Sequence, residues 1–227
     1  MNGDLSWAPI SEPANVLDIG TGTGIWAIEF ADKNPTSNVV GTDLSLIRAQ
    51  DIPPNCEFFR ADAEENWIFD YSFDYIHLRL MNTCFDDPKG MVKKIFDHLQ
   101  PDGLIEYQEF CFEQIAADEA SELAIQNNAQ SHQATERRTN RSHLSRLNPW
   151  PLDPKDKQID MYSQHNLTEA TRSTCKFMKA LGMTESEIDS FLDGVGSSIA
   201  DTSVHSYTPW YVVYGRKPIE GRSANVK

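Results

Sequence analysis

A doubly wound α/β sandwich with a mostly parallel sheet is the fold class predicted by the first half of this 227-residue chain. Three observations carry the prediction. Five short β-rich runs precede residue 111, separated by helix-length or turn-rich connections, as parallel pairing with right-handed crossovers requires. The first run ends in a glycine turn, "GTGTG" (20–24), that opens an amphipathic stretch. A late β-rich run, "SYTPWYVVYGRKP" (206–218), enters through a proline and reads as a closing strand, antiparallel beside the fifth.

The elements follow in order. "NVLDI" (15–19) is a buried strand, and "GIWAIEFADK" (24–33) is a helix with Ile25, Ile28 and Ala31 near helical spacing. "NVVGTDL" (38–44) is a second strand behind the turn signal "NPTS", "CEFFRAD" (56–62) a third, and "FDYIHLRL" (73–80) a fourth. "PKGMVKKIFDHL" (88–99) predicts a helix with Met91, Ile95 and Leu99 inward and Pro88 in its first turn. "QPDG" (100–103) is a turn, and "LIEYQEF" (104–110) the fifth strand. Beyond it, "IAADEASELAIQNNAQ" (115–130) reads as a helix, and the polar, proline-punctuated stretch 131–158 as loop. Residues 158–182 read as a helix closed by Gly182, and Thr184 with Glu187 form a capping box that opens another.

Composition bounds the function. Hydrophobic residues make up 40% of the chain, enough for a sizeable core. The formal net charge of −14 repels phosphate backbones and argues against a nucleic-acid partner. The basic run "ERRTNRSHLSR" (136–146) reads as a solvated loop. Cys56, Cys84, Cys111 and Cys175 have no metal-ligand spacing and read as buried free thiols in a reducing compartment. No metal is expected. No apolar run is long enough to span a bilayer and no leader is evident, so a cytoplasmic or nuclear location without membrane partners is expected.

Glycines between a strand and a helix let backbone N–H groups approach a ligand. Dinucleotide sites use G-x-G-x-x-G. Here the pattern is Asp18-x-Gly20-x-Gly22-x-Gly24, with an acid two residues ahead of the turn. A pyrophosphate gains little from that acid. A ligand carrying an ammonium group would gain more, and the carboxylate could equally brace the turn.

This pattern resembles motif I of class I S-adenosylmethionine-dependent methyltransferases, and the resemblance continues in order through "GTDLS", "RADAEE", "SFDYIHLRL" and "LQPDGLIEYQE". The wording "VLDIGTGTGIWAIEFAD", "DAEENW", "SFDYIHLR" and "HSYTPWYVVYGRKP" is closest to the fungal LaeA-like branch of secondary metabolism. The resemblance implies a Rossmann-like three-layer sandwich in a single domain: a cofactor-binding half (1–115), a helical or irregular insertion (116–205), the closing strand (206–218) and a tail (219–227). It implies S-adenosylmethionine as cofactor, held by Asp18, Gly20, Thr21, Gly22, Gly24, Asp43, Leu44, Asp62, Ala63 and Arg79. Asp43 would accept from both ribose hydroxyls, and Asp62 with the next N–H would read the adenine. The acceptor would be a small molecule or a protein; the alternative is a cofactor-binding regulator working through protein partners.

No residue stands out as a catalytic base. The candidate catalytic residues lie at the carboxyl ends of the fourth and fifth strands: Arg79, which could touch the substrate or the methionine carboxylate, and Glu109, a substrate-side acid, with Tyr107 and Gln108 as weaker ones. Trp67 divides between packing and the adenine, while His77 fits a satisfied polar face. Relatives carry covering helices upstream and a further strand flanking the last one. Residues 1–14 are too few for the former, and 116–147 look strand-poor, so a shortened form of the family is expected.

Overall fold

The computed structural model describes residues 4–45, 49–81, 83–110, 115–116, 144–147, 162, 175–201, 203 and 206–219. They fall into two compact units, one holding 4–110 and 211–219, the other holding the described residues between 115 and 210.

In the first unit the order is β1 (Asn15–Ile19), α1 (Ile25–Lys33), β2 (Asn38–Asp43), β3 (Cys56–Arg60), β4 (Phe73–Arg79), α2 (Pro88–His98) and β5 (Leu99–Phe110). The strands lie in the order β3-β2-β1-β4-β5, each pair parallel. β1 is central and, from Val16 on, fully buried, which is why it reads as an apolar run interrupted only by Asp18. One core cluster gathers Val16, Trp26, Phe30, Val39, Tyr75 and Leu104 under α1. The other gathers Leu17, Ile19, Phe73, Ile76, Leu78, Met91 and Ile95 under α2. Helices on both faces of a parallel sheet make the sandwich that the sequence predicts.

The strand β8 (Ser206–Arg216) follows β5 in the sheet order. Asp102 N–H donates to the carbonyl of Lys217 (2.9 Å) and Lys217 N–H to that of Gly103 (2.8 Å). A side chain at Gly215 would meet Ile105. Residue numbers rise along β5 as they fall along β8, so the closing strand runs antiparallel.

Local readings shift at several points. α1 buries Trp26, Ala27, Phe30 and Ala31, and Ile25 is 52% exposed, so the buried face lies one residue around from the one that Ile25 and Ile28 mark. The two aromatic rings bury more surface than the isoleucines and take the interior. Leu99 ends the α2 stripe but already belongs to β5. The "QPDG" turn persists as an irregularity inside that strand: Phe73 pairs with Leu99 but Tyr75 pairs with Leu104, and Asp102 has φ +70°. Pairing with Lys217 keeps this turn in the ladder, which sequence spacing does not reveal.

In the second unit, β6 (Ile115–Ala116) pairs antiparallel with Ser206 and Tyr207. The predicted 115–130 helix is therefore wrong at its first two residues, and its remainder lies outside the described residues. A short strand β7 (Leu144–Leu147) also pairs with β8, where a loop without a flanking strand was expected. Four polar-interrupted residues carry little strand signal; the open backbone of β8 supplies it. α3 (Cys175–Ala180) ends at Gly182, φ +89°, with Met183 N–H on Met178 O. α4 (Glu185–Ala200) opens with the predicted capping box: Thr184 N–H donates to Glu187 Oε2 at 2.8 Å, and Glu187 N–H to Thr184 Oγ1 at 3.3 Å. Between 158 and 174 Tyr162 alone is described, and it is helical; the other residues there, Cys111 and His205 lie outside the described residues.

Candidate functional site

The strand order reverses between β1 and β4, so the crevice beyond their carboxyl ends is where such a sheet receives a ligand. Among the described residues the loops after β1, β2, β3 and β4 open at that end, and the first is the glycine turn. Gly20, Gly22 and Gly24 all have positive φ (68°, 60° and 81°), which an L side chain adopts only with strain. At Gly20 a Cβ would also run into the thioether end of Met81, which would have to move. At Gly22 a Cβ would meet nothing within 4 Å, so the turn presents bare backbone to open space.

Two carboxylates hold this turn from opposite sides. Asp18, only 3% exposed, accepts the Thr21 hydroxyl on Oδ2 (2.5 Å) and faces His77 Nδ1 with Oδ1 (2.8 Å). Both of its oxygens are taken and it lies behind the turn. Of the two roles that the sequence leaves open, the geometry supplies the brace. Asp43, half-buried, accepts Gly22 N–H on Oδ2 (2.9 Å) and Ser45 N–H on Oδ1 (2.8 Å). Thr21 N–H reaches the Thr42 carbonyl (2.9 Å), and Gly24 N–H that of Thr21 (3.0 Å). The link between Asp43 and Gly22 has no signal in the sequence, because it joins residues 21 apart.

Leu44 is 64% exposed beside Asp43, an apolar surface next to a carboxylate. Asp62 is exposed and accepts Glu64 N–H (2.8 Å), which fixes its own turn. Lys94 of α2 donates to the carbonyls of Ala63, Glu64 and Glu65, and Glu64 accepts the N–H groups of Asp86 and Asp87, tying this loop to the one before α2. Trp67 resolves to packing: its indole N–H donates to Ala63 O, its ring meets His98 and Phe69, and Lys94 Nζ lies 6.0 Å above it.

Arg79 is exposed at the end of β4, one residue beyond the pair that joins Leu78 to Ile19. Leu80 then takes φ +59°, donates its N–H to Gln108 O, and turns the chain so that Met81 covers Gly20. On β5, Tyr107 hydrogen-bonds Glu109. Burial first, and then Glu109 and Cys84, push the Tyr107 phenol above its ordinary value, so it stays a proton donor. Gln108 is buried and donates to Glu106 (2.6 Å), away from the crevice. Glu106, fully buried, also accepts the N–H groups of Trp7 (2.8 Å) and Ala8 (2.6 Å), pinning the segment ahead of β1 to the sheet. Sequence reading misses this clamp because its partners lie about a hundred residues apart. Cys84 is exposed rather than buried, whereas Cys56 is buried. Among the described residues no helix is long and apolar enough to cross a membrane.

Over residues 4–174 the chain matches the protein family described as a methyltransferase domain. Along 96% of its length it is 27% identical to the probable methyltransferase tdiE of Emericella nidulans, of which it covers 77%. Along 95% of its length it is 31% identical to the secondary metabolism regulator laeA of Monascus pilosus, of which it covers 66%. Among solved structures, phosphoethanolamine N-methyltransferase 2 of Haemonchus contortus, in complex with phosphomonomethylethanolamine and S-adenosylhomocysteine, is similar with a TM-score of 0.51. At 17% identity over 94% of this chain and 51% of that one, the likeness is one of fold. The chain thus spans about two thirds of the regulator and half of the enzyme of known structure.

Proposed function

The chain belongs to the methyltransferase-domain family, and from that membership we propose that it transfers a methyl group from S-adenosylmethionine to a small acceptor of fungal secondary metabolism. The observation that carries the reading is the glycine turn: bare backbone at a strand-order reversal, held between two carboxylates, one of which faces the crevice. A carboxylate has about four lone-pair sites. Asp43 uses two of them on Gly22 and Ser45, leaving acceptors for two ribose hydroxyls. Leu44 offers an apolar face to the adenine, and Asp62 with the Ala63 N–H offers polar contacts at its edge. Arg79 suits the methionine carboxylate, and Asp18 acts on the cofactor through the turn that it braces. When bound, the cofactor supplies a methyl group already activated by its sulfonium.

Most of what the chain must add is alignment of acceptor and methyl group in a water-poor site. Glu109 would take a proton from an oxygen or nitrogen acceptor, and its hydrogen bond with Tyr107 supports that reading by fixing the carboxylate. A cytoplasmic or nuclear location belongs to the same proposal.

The likeness to laeA favours a second reading, a regulator that binds the cofactor and works through protein partners. Calorimetry with S-adenosylmethionine tests both readings. Formation of S-adenosylhomocysteine with phenolic, indolic and carboxylic acceptors then separates them. Absence of binding refutes both, and binding without transfer to any acceptor leaves the regulator.

A further inference from the structure

The fold buries an imidazole at its centre that no step of the proposed reaction uses. His77 lies in the middle of β4, 1% exposed, in register with Asp18 of β1 and Glu106 of β5. Its Nδ1 stands 2.8 Å from Asp18 Oδ1. An ionised carboxylate only accepts, so Nδ1 carries the hydrogen and donates it. The other Asp18 oxygen takes the Thr21 hydroxyl. The ring also stacks on Trp26 of α1, with centroids 3.8 Å apart and planes 7° from parallel. His77 therefore touches both flanks of the glycine turn: the strand that enters it, through Asp18, and the helix that leaves it, through Trp26.

The geometry points to His77 as a positioning residue for the cofactor turn. Its hydrogen bond fixes the rotamer of Asp18 in which Oδ2 meets Thr21, and the Thr21 hydroxyl in turn fixes the backbone of residues 20–22. Its stack sets where α1 begins relative to β1. Without the donor, a buried carboxylate oxygen is left unpaired, and the carboxylate must turn away from Thr21 or recruit water. The proposal rests on the cofactor reading above.

Two substitutions separate the two contacts. His77→Phe keeps a ring on Trp26 and removes the donor. His77→Asn places an amide N–H where Nδ1 stood and removes the stack. Hydrogen exchange in ligand-free protein reads the turn directly, because the Thr21 and Gly22 amides are bonded to Thr42 O and Asp43. His77→Phe should speed exchange at these two amides at least fivefold and weaken S-adenosylhomocysteine binding about tenfold, the loss of one hydrogen bond to a charged group. His77→Asn should restore most of both. In a Thr21→Val background, where the chain of contacts is already cut, His77→Phe should weaken binding no further. The proposal is overturned if His77→Phe lowers the melting temperature yet exchanges at Thr21 and Gly22 and binds as the parent does. It is also overturned if the two substitutions add. Should His77→Phe not fold, slow exchange at Gly22 in Thr21→Val decides against the proposal. If the parent itself does not bind S-adenosylhomocysteine, the cofactor reading fails, while the exchange rates still decide the role of His77.

Discussion

Replacing Asp43 by alanine tests whether one carboxylate serves both the turn and the ligand. The side chain accepts Gly22 N–H at 2.9 Å and Ser45 N–H at 2.8 Å. Hydrogen bonds to a charged group contribute roughly 1.5–3 kcal/mol each, and less where water can replace the lost partner. Asp43 is half-buried and Gly22 exposed, so about 2 kcal/mol for the pair is a fair sum. For a chain of this size, ~1 kcal/mol moves the melting temperature by about 2–4 °C. Asp43→Ala should therefore melt about 4–8 °C below the parent without ligand. Sequence reasoning alone expects almost no change, because it assigns Asp43 to the ribose and nothing else. In calorimetry the same variant should bind S-adenosylhomocysteine at least tenfold more weakly, since it loses the ribose acceptors and the anchor of Gly22 together. Asp43→Asn keeps one carbonyl oxygen and should fall between. An unchanged melting temperature in Asp43→Ala would refute the anchoring role. Unchanged affinity in a destabilised variant would refute the ribose role.

Gly20→Ala should destabilise the fold more than Gly22→Ala in urea titrations: both incur about 1 kcal/mol for positive φ, but only the first forces a Cβ onto Met81 Sδ. If the two midpoints coincide, the packing of Met81 on the turn is wrong. Arg79→Ala should leave the ligand-free melting temperature within about 1 °C, because the side chain is exposed, and should weaken cofactor binding several-fold; equal affinity removes Arg79 from the site. Burial pushes the Cys56 thiol up to about 11, so at pH 8 it is about one part in a thousand thiolate and becomes reactive only as pH approaches that value or the chain unfolds. Exposed Cys84 should be alkylated first, and peptide mapping after brief iodoacetamide treatment that finds Cys56 modified alongside it would contradict the burial.

How much of this was legible in the sequence follows the range of each interaction. β1 to β4 begin and end within a residue or two of their sequence limits, because apolar runs bounded by turn residues are local signals. The capping box at Thr184 and the stop at Gly182 are local too, and both stand as read. What failed was set by a partner strand. Ile115–Ala116 and Leu144–Leu147 are strands only because β8 offers its edge. The site divides the same way. The glycines, Asp18, Asp43 and the acid at 62 are visible as a pattern, but which atom meets which is not. Glu106 reads as one acid among several on β5, yet it is wholly buried and clamps Trp7 and Ala8. His77 reads as an alternating polar residue and proves to be the partner of Asp18.

These contacts bear on how the turn meets a ligand. Fixing one residue's backbone costs about 1–2 kcal/mol, so ordering residues 20–24 at the moment of binding would take a large share of a micromolar affinity, which is about 8 kcal/mol in all. Here the ordering is supplied by the fold. Thr21 is held by Thr42 and Asp18, Gly22 by Asp43, Gly24 by Thr21, and Gly20 lies under Met81. A ligand entering this crevice meets a turn already in shape, and its contacts contribute to affinity with little deducted for organising the protein. The arrangement also explains what an acid two residues before the glycines does in the fold, with both of its oxygens bonded. Buried between Thr21 and His77, Asp18 gives its charge to the backbone geometry, and Asp43, on the open side, is left to meet whatever the crevice holds.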